Sequence, residues 1–363
     1  MRGLTSHFLG KYRNLILQGG NMIIRLIRHF RIFIIIAISF TTTVVLADDV
    51  EKWQLTGVER FYLHNPPNSF TGLYRSQGIA TNGQEWFFSW QYGLERADMA
   101  FNSLQRNSNL DPVNGLTPGI PLELLAQGLN HIGDIDYKDG IIYAPIDTTD
   151  GYNYGHVALY NANDLSYTGL TYALIGSPDN PDNDIASWVA IDRKGNYGYG
   201  KEWQEGNTIN VYKLDDWSYS HAIVMDAYLK NIQGGKIWKN WLYLSSDNET
   251  RSVYRVNIHS GHVQELFQLP APPGDLEVEG LALIQPKGGP LNLYVEMVVD
   301  PNYSNHSLTD TELNLSLFHY IRKTDDDDQK FVCLPKDNGN TILLNNGHEQ
   351  ICDYNRLVRS PLK

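Results

Sequence analysis

The sequence predicts an all-β fold, a β-propeller of five blades with six as the alternative count, preceded by a signal peptide. Three observations carry this: a hairpin pattern recurring at roughly fifty-residue intervals, no strand–helix–strand alternation, and a basic-then-apolar N-terminus.

The signal comes first in the chain. Arg25, Arg28 and Arg31 precede an apolar run from Ile32 to Phe40, and Val44-Val45-Leu46-Ala47 follows, ending on a small residue where cleavage is expected. Met22 stands where such a signal ordinarily begins, so either Met1 or Met22 is its start. The apolar stretch is shorter than the ~20 residues that span a bilayer. Residues 1–47 are therefore read as an extended n-region and signal peptide, and 48–363 as a single secreted or periplasmic domain, monomeric and without a membrane span after cleavage.

Cleavage lowers the Lys and Arg count from 29 to 23 against 41 Asp and Glu, taking the formal charge from −12 to −18. A surface so acidic argues against nucleic acid as a partner and favours cations. The 42% hydrophobic and 12% aromatic content is enough for a packed core. Cys333 and Cys352, the only cysteines, are expected to form a disulfide closing a C-terminal loop, since two thiols without companion Cys or His pairs make a poor zinc site.

The blades follow. Gln77 to Phe88, Gly133 to Tyr143, Trp188 to Tyr199, Gly234 to Leu244 and Glu279 to Tyr294 each read as an apolar strand, a turn such as Asn-Gly, Asp-Gly or Lys-Gly, and an aromatic-rich strand. Placing Ala80, Asp136, Ile191, Ile237 and Ala282 in register gives spacings of 56, 55, 46 and 45 residues, the period of four-stranded blades. Gly155 to Tyr160, Thr208 to Leu214 and Ser252 to Asn257 supply strands farther out. Residues 53–75 and 329–357 are left over, either pairing to close the ring or forming a degenerate sixth blade. A sandwich is the rival all-β reading, but its strand rhythm of about 8–12 residues does not explain the longer self-similarity.

The innermost strand of every blade lines a central channel, so residues far apart in sequence converge there. Gln77, His131, Asp134, Asp136, Ser187, Glu277 and Glu279 stand at or near the starts of these strands. Asp134 and Asp136 are two apart and share a strand face. Carboxylates converging in a buried place need compensation, and oxygen donors with little His describe a hard-cation site, calcium before magnesium. Asp134, Glu279, Gln77 and Ser187 are the candidate metal ligands. His131 and Asp136 are the candidates for proton transfer, and Trp188 and Trp238 for the wall of a substrate site. No Gly-x-Ser-x-Gly, Walker or His-Glu-x-x-His motif is present.

Glu279-Gly-Leu-Ala and His131-Ile-Gly-Asp-Ile-Asp resemble axial strands of the calcium-dependent propellers, a group that includes gluconolactonase/regucalcin-like lactonases, esterase-like phytases and olfactomedin-like domains. The resemblance implies a calcium ion at the axis with Glu279 and Asp134 among its ligands, and a lactone, ester or phosphate polarised by it. The polar Asn ligand of the lactonases has no counterpart on an inner strand. Two functions follow as expectations: a calcium-binding propeller with metal-assisted hydrolase activity on a small substrate, or a non-enzymatic module that recognises protein or glycan at its mouth, the ion being structural.

Overall fold

The computed structural model describes residues 50–62, 74–108, 119–148, 155–177, 187–201, 203–304, 310 and 312–323, and the backbone of 342–343 and 349–350. The chain divides into two units, residues 1–49 and 50–363. The signal segment, Cys333 and Cys352 lie outside the described residues.

The first strand, β1 (Trp53–Tyr62), belongs to the last blade. Blade 1 is β2 (Gly78–Thr81), β3 (Glu85–Trp90), β4 (Gly93–Asp98) and β5 (Ser103–Ser108). A short helix, α1 (Leu122–Leu125), leads to blade 2, whose inner strand is broken into β6 (His131–Ile132) and β7 (Asp136–Lys138), followed by β8 (Ile141–Asp147), β9 (His156–Asn161) and β10 (Tyr167–Ala173). Blade 3 is β11 (Ala190–Ile191), β12 (Tyr197–Gly200), β13 (Gly206–Lys213) and β14 (Tyr219–Leu229). Blade 4 is β15 (Ile232–Trp238), β16 (Trp241–Ser246), β17 (Ser252–Asn257) and β18 (Val263–Gln268). Blade 5 is β19 (Asp275–Ile284), β20 (Asn292–Asp300) and β21 (Asn314–Arg322), with β1 added outside. A two-residue ladder, β22 (Ile342–Leu343) with β23 (Glu349–Gln350), lies apart from these sheets.

Each blade is an antiparallel meander, and the inner strands β2, β7, β11, β15 and β19 neighbour one another in turn, with β19 returning to β2. The ring is thus closed with five blades. The sequence reading pairs 53–75 with 329–357 or joins them into a sixth blade. The structure instead runs β1 antiparallel to β21, with Val58 opposite Phe318, so the N-terminal strand completes the blade that the later chain leaves with three strands.

The strands form where they do because period-two alternation feeds two different interfaces. In β3, Phe87 points into the cluster shared with blade 2, while Trp86 and Phe88 point into the one shared with blade 5. In β8, Ile142, Ala144 and Ile146 face blade 1 and Tyr143 faces blade 3. Blades 3 and 4 share Trp188, Val211, Leu242 and Val256, and blades 4 and 5 share Tyr243, Val253, Leu281 and Val295. Among the described residues the core is therefore five slabs, one per blade interface, with a small sixth cluster of Val298, Leu313 and Leu315 inside blade 5, and a strand buried on both faces reads as nearly continuous apolar sequence. The Asp139-Gly140 turn of blade 2 has positive φ at both residues, 51° and 85°, as a two-residue hairpin turn requires.

Candidate functional site

The broken inner strand of blade 2 delivers Asp134 to the axis. Between β6 and β7 the chain bends toward blade 3, where the Asp134 amide donates to the Ser187 carbonyl at 2.9 Å and the Val189 amide donates to the Asp134 carbonyl at 3.2 Å. The carboxylate is fully buried. Its Oδ1 accepts from the Ile79 amide of blade 1 at 3.0 Å, and its Oδ2 accepts from the Gly235 amide at 3.1 Å and the Lys236 Nζ at 2.5 Å, both of blade 4. Blade 5 supplies Gly280, where an added Cβ would stand 2.6 Å from Asp134 Oδ1. Through its backbone or its side chain, this one residue therefore meets every other blade.

Glycine makes room for it. Gly78, Asp134 and Gly280 occupy the same register two residues before Ala80, Asp136 and Ala282, so two blades omit a side chain where blade 2 places a carboxylate. A Cβ on Gly280 would also lie 2.6 Å from the Gly78 Cα, which cannot swing aside as a side-chain tip can. Gly280→Ala is expected to destabilise the fold by about 1–3 kcal/mol, read by denaturant unfolding.

Burial pushes Asp134 upward; the Lys236 ammonium and the two amides pull it back, leaving it at about 7. The positive charge that the sequence reading assigns to calcium at Asp134 is thus supplied by Lys236, whose side chain is itself buried. Lys236 escapes notice in the sequence because it lies in another blade, 102 positions from its partner.

The remaining predicted residues separate onto two ends of the channel. At the strand-start end, Gln77 joins His131 and Glu279: His131 Nε2 lies 2.7 Å from Gln77 Oε1, and Gln77 Nε2 donates to Glu279 Oε1 at 3.1 Å. His131 Nδ1 is 2.8 Å from Asp147 Oδ1, while the buried Asp147 Oδ2 has no partner among the described residues. Asp147 ends β8, and the sequence reading missed it. Its signal was available, since Asp247 and Asp300 also stand at the ends of second strands. Ser187 comes to the axis through its backbone carbonyl.

Two orientations of the Gln77 amide satisfy these heavy-atom positions: with Oε1 toward the ring the amide nitrogen donates to Glu279, and with the amide turned over its nitrogen donates to the ring and its oxygen accepts from a protonated Glu279. Burial raises Glu279 well above the usual range, with Glu277, Glu296, Asp247 and Asp134 adding to it. Asp247, which accepts from the Val278 amide at 3.0 Å, is pushed up to about 6, by burial first. Glu296, which stands opposite the Glu279-Gly280 bulge, is fully buried with neither oxygen partnered among the described residues.

At the hairpin-turn end lies a small cavity lined by Ala80, Asp136, Ile237 and Ala282, four of the five residues aligned by the repeat, together with Arg193, Lys236 and Trp238. Asp136 uses Oδ1 and Oδ2 to accept from the Tyr137 and Ile191 amides, each at 2.8 Å. Trp188 is fully buried between blades 3 and 4, its ring against Gly235, and fills space there. Of the two candidates for proton transfer, His131 joins Gln77 at the strand-start end and Asp136 lines the cavity at the hairpin-turn end. Among the described residues no group of three or more His, Cys, Asp or Glu is arranged to hold a metal ion.

No family model matches the chain, and no curated protein matches it. Among solved structures it is similar to Sqt1 of Saccharomyces cerevisiae, 12% identical, covering 67% of this chain and 57% of that one with a TM-score of 0.30. It is similar to the tail fiber of Staphylococcus aureus phage P68 at 13% identity, covering 77% and 60% with a TM-score of 0.42. The RRP9 WD40 repeats are 12% identical, covering 44% and 54% with a TM-score of 0.28. The chain spans three-fifths or less of the length of each.

Proposed function

We propose that this chain is an exported recognition propeller whose ligand seat is the acidic end of the channel, where Gln77, His131, Asp247, Glu277 and Glu279 gather. The observation that carries the reading is the bonded chain Asp147–His131–Gln77–Glu279, which joins two blades to a third through one amide and leaves His131 partly open to solvent. Export rests on the N-terminal sequence. The carboxylates here raise one another's proton affinity, so a cationic group arriving from solvent relieves that repulsion. The ligand is accordingly an ammonium or guanidinium group of a protein or small molecule, or a hard cation such as calcium bound at Glu279 rather than at Asp134.

A cation at Glu279 favours its carboxylate form, and the Gln77 amide then turns its nitrogen toward Glu279 and its oxygen toward the His131 ring. Titration with calcium, and separately with methylguanidine, is expected to shift the His131 ring resonances saturably in NMR spectra. Glu279→Gln should weaken binding about tenfold, the equivalent of about 1.4 kcal/mol. Neither cation moving His131, or Glu279→Gln binding like the parent, would sink the reading.

The hydrolase alternative has one specific observation in its favour, the His131–Asp147 pair, in which a carboxylate orients an imidazole able to accept a proton. Turnover of lactone, ester or phosphate substrates that disappears in His131→Gln supports it; an inactive parent protein favours recognition alone.

A further inference from the structure

The opposite end of the channel has the reverse chemistry. The inner hairpins of blades 2 to 5 carry a basic residue at or beside each turn: Lys138, Arg193 with Lys194, Lys239 and Lys287. In a chain of net charge −12 these five basic residues outnumber the two acidic ones at the same turns, Asp139 and Asp192, and Arg193 also lines the cavity with Asp136, Lys236 and Trp238.

Hydrogen-bond donors outnumber acceptors there. Each Asp136 oxygen already takes a backbone amide, and the Thr81 carbonyl takes Arg193 Nη2 at 3.0 Å. Arg193 forms no other hydrogen bond to the described residues, so most of its five N–H groups remain for a ligand. Lys236 places two N–H groups on Asp134 and the Gly235 carbonyl and keeps a third. The indole N–H of Trp238 is buried with no acceptor among the described residues. Five other indole N–H groups, of Trp53, Trp86, Trp90, Trp188 and Trp217, are likewise buried without an acceptor among the described residues, and what singles out Trp238 is that it lines the cavity beside Arg193 and Lys236. Asp136 is the one carboxylate in the lining, and its two amide bonds hold it against the strand.

We propose that this end is a second, independent binding site, for an anionic group: a carboxylate or phosphate that accepts from Arg193, Trp238 and Lys236 beside the basic turns. It is separated from the acidic seat by the Asp134–Lys236 pair, so the two ends take ligands of opposite charge. The site is independent of the proposed recognition function.

The test is calorimetric titration of the protein with inorganic phosphate and, separately, with succinate, at low and at physiological ionic strength. One saturable site is expected, with affinity falling as salt rises. Arg193→Gln should weaken it about tenfold or more, since it removes a charge-assisted donor, and Trp238→Phe, which keeps the ring and removes the N–H, about threefold to tenfold. Lys230→Gln, at the other end, should leave affinity unchanged. Binding of only one of the two anions identifies the acid group. No heat with either anion, or equal loss from Arg193→Gln and Lys230→Gln, overturns the proposal and returns the basic turns to ordinary solvated surface.

Discussion

Lys236→Met is expected to destabilise the protein by about 3–5 kcal/mol at pH 8, because it strands the Asp134 carboxylate in a fully buried place with only two amides. The loss should depend on pH with a definite sign. Asp134 has a folded value raised to about 7 from 3.8, so the native state takes up a proton between these limits. Its contribution is most favourable below about 4 and is lost as pH rises through 7. Removing the ammonium raises Asp134 further, so the variant suffers most where the acid must ionise and recovers part of its deficit near pH 5.5 by protonating. Glu279 and Glu296, both raised by burial, titrate in the same direction and are shared by parent and variant. Denaturant unfolding at the two pH values checks this, and equal deficits at both would show that the ion pair is not what Met disrupts. Asp134→Asn combined with Lys236→Met should cost less than the two single changes added, because neither partner is then left charged and alone.

That pair also marks the limit of what spacing alone can reveal. The blades were legible because a hairpin is a local object: strand, turn and aromatic strand lie within a dozen residues and repeat. The register Ala80, Asp136, Ile237 and Ala282 proved to be a true spatial alignment, since all four line one cavity. The convergence of Asp134 and Glu279 follows from that register, because Gly280 abuts the Asp134 carboxylate. What compensates the charge could not be read in the same way. Lys236 is a single basic residue in an apolar strand, and only the three-dimensional ring brings it to Asp134. The separation of His131 from Asp136 was hidden for a related reason: five residues along an inner strand carry the chain from one mouth of the channel to the other. Gln77 was found as an oxygen donor, but its role as a two-sided amide depends on His131 and Glu279 arriving from different blades.

The closing strand carries the largest expected effect. A chain beginning after Tyr62 lacks β1 and should lose the cooperative unfolding transition, leaving blade 5 with three strands and an exposed β21 edge. Trp53, Leu55 and Val58 pack against the blade 4–blade 5 cluster and Phe61 against the blade 5–blade 1 cluster. At about 1.5 kcal/mol apiece these four side chains contribute about 6 kcal/mol, comparable with the entire net stability of an ordinary domain, about 5–15 kcal/mol. Glu51 adds a polar tie across the same seam, its Oε1 2.8 Å from both Arg255 Nη1 of blade 4 and Arg322 Nη1 of blade 5, and its Oε2 accepting from the Tyr243 hydroxyl. The truncated chain should bind hydrophobic dye and show no sharp melting transition. A synthetic peptide of residues 50–62, added in trans, should restore that transition in proportion to its concentration, because β1 contributes an edge and no turn. A truncated chain that melts as sharply as the chain beginning at residue 48 would mean that three strands suffice in blade 5 and that the ring does not depend on its N-terminal closure.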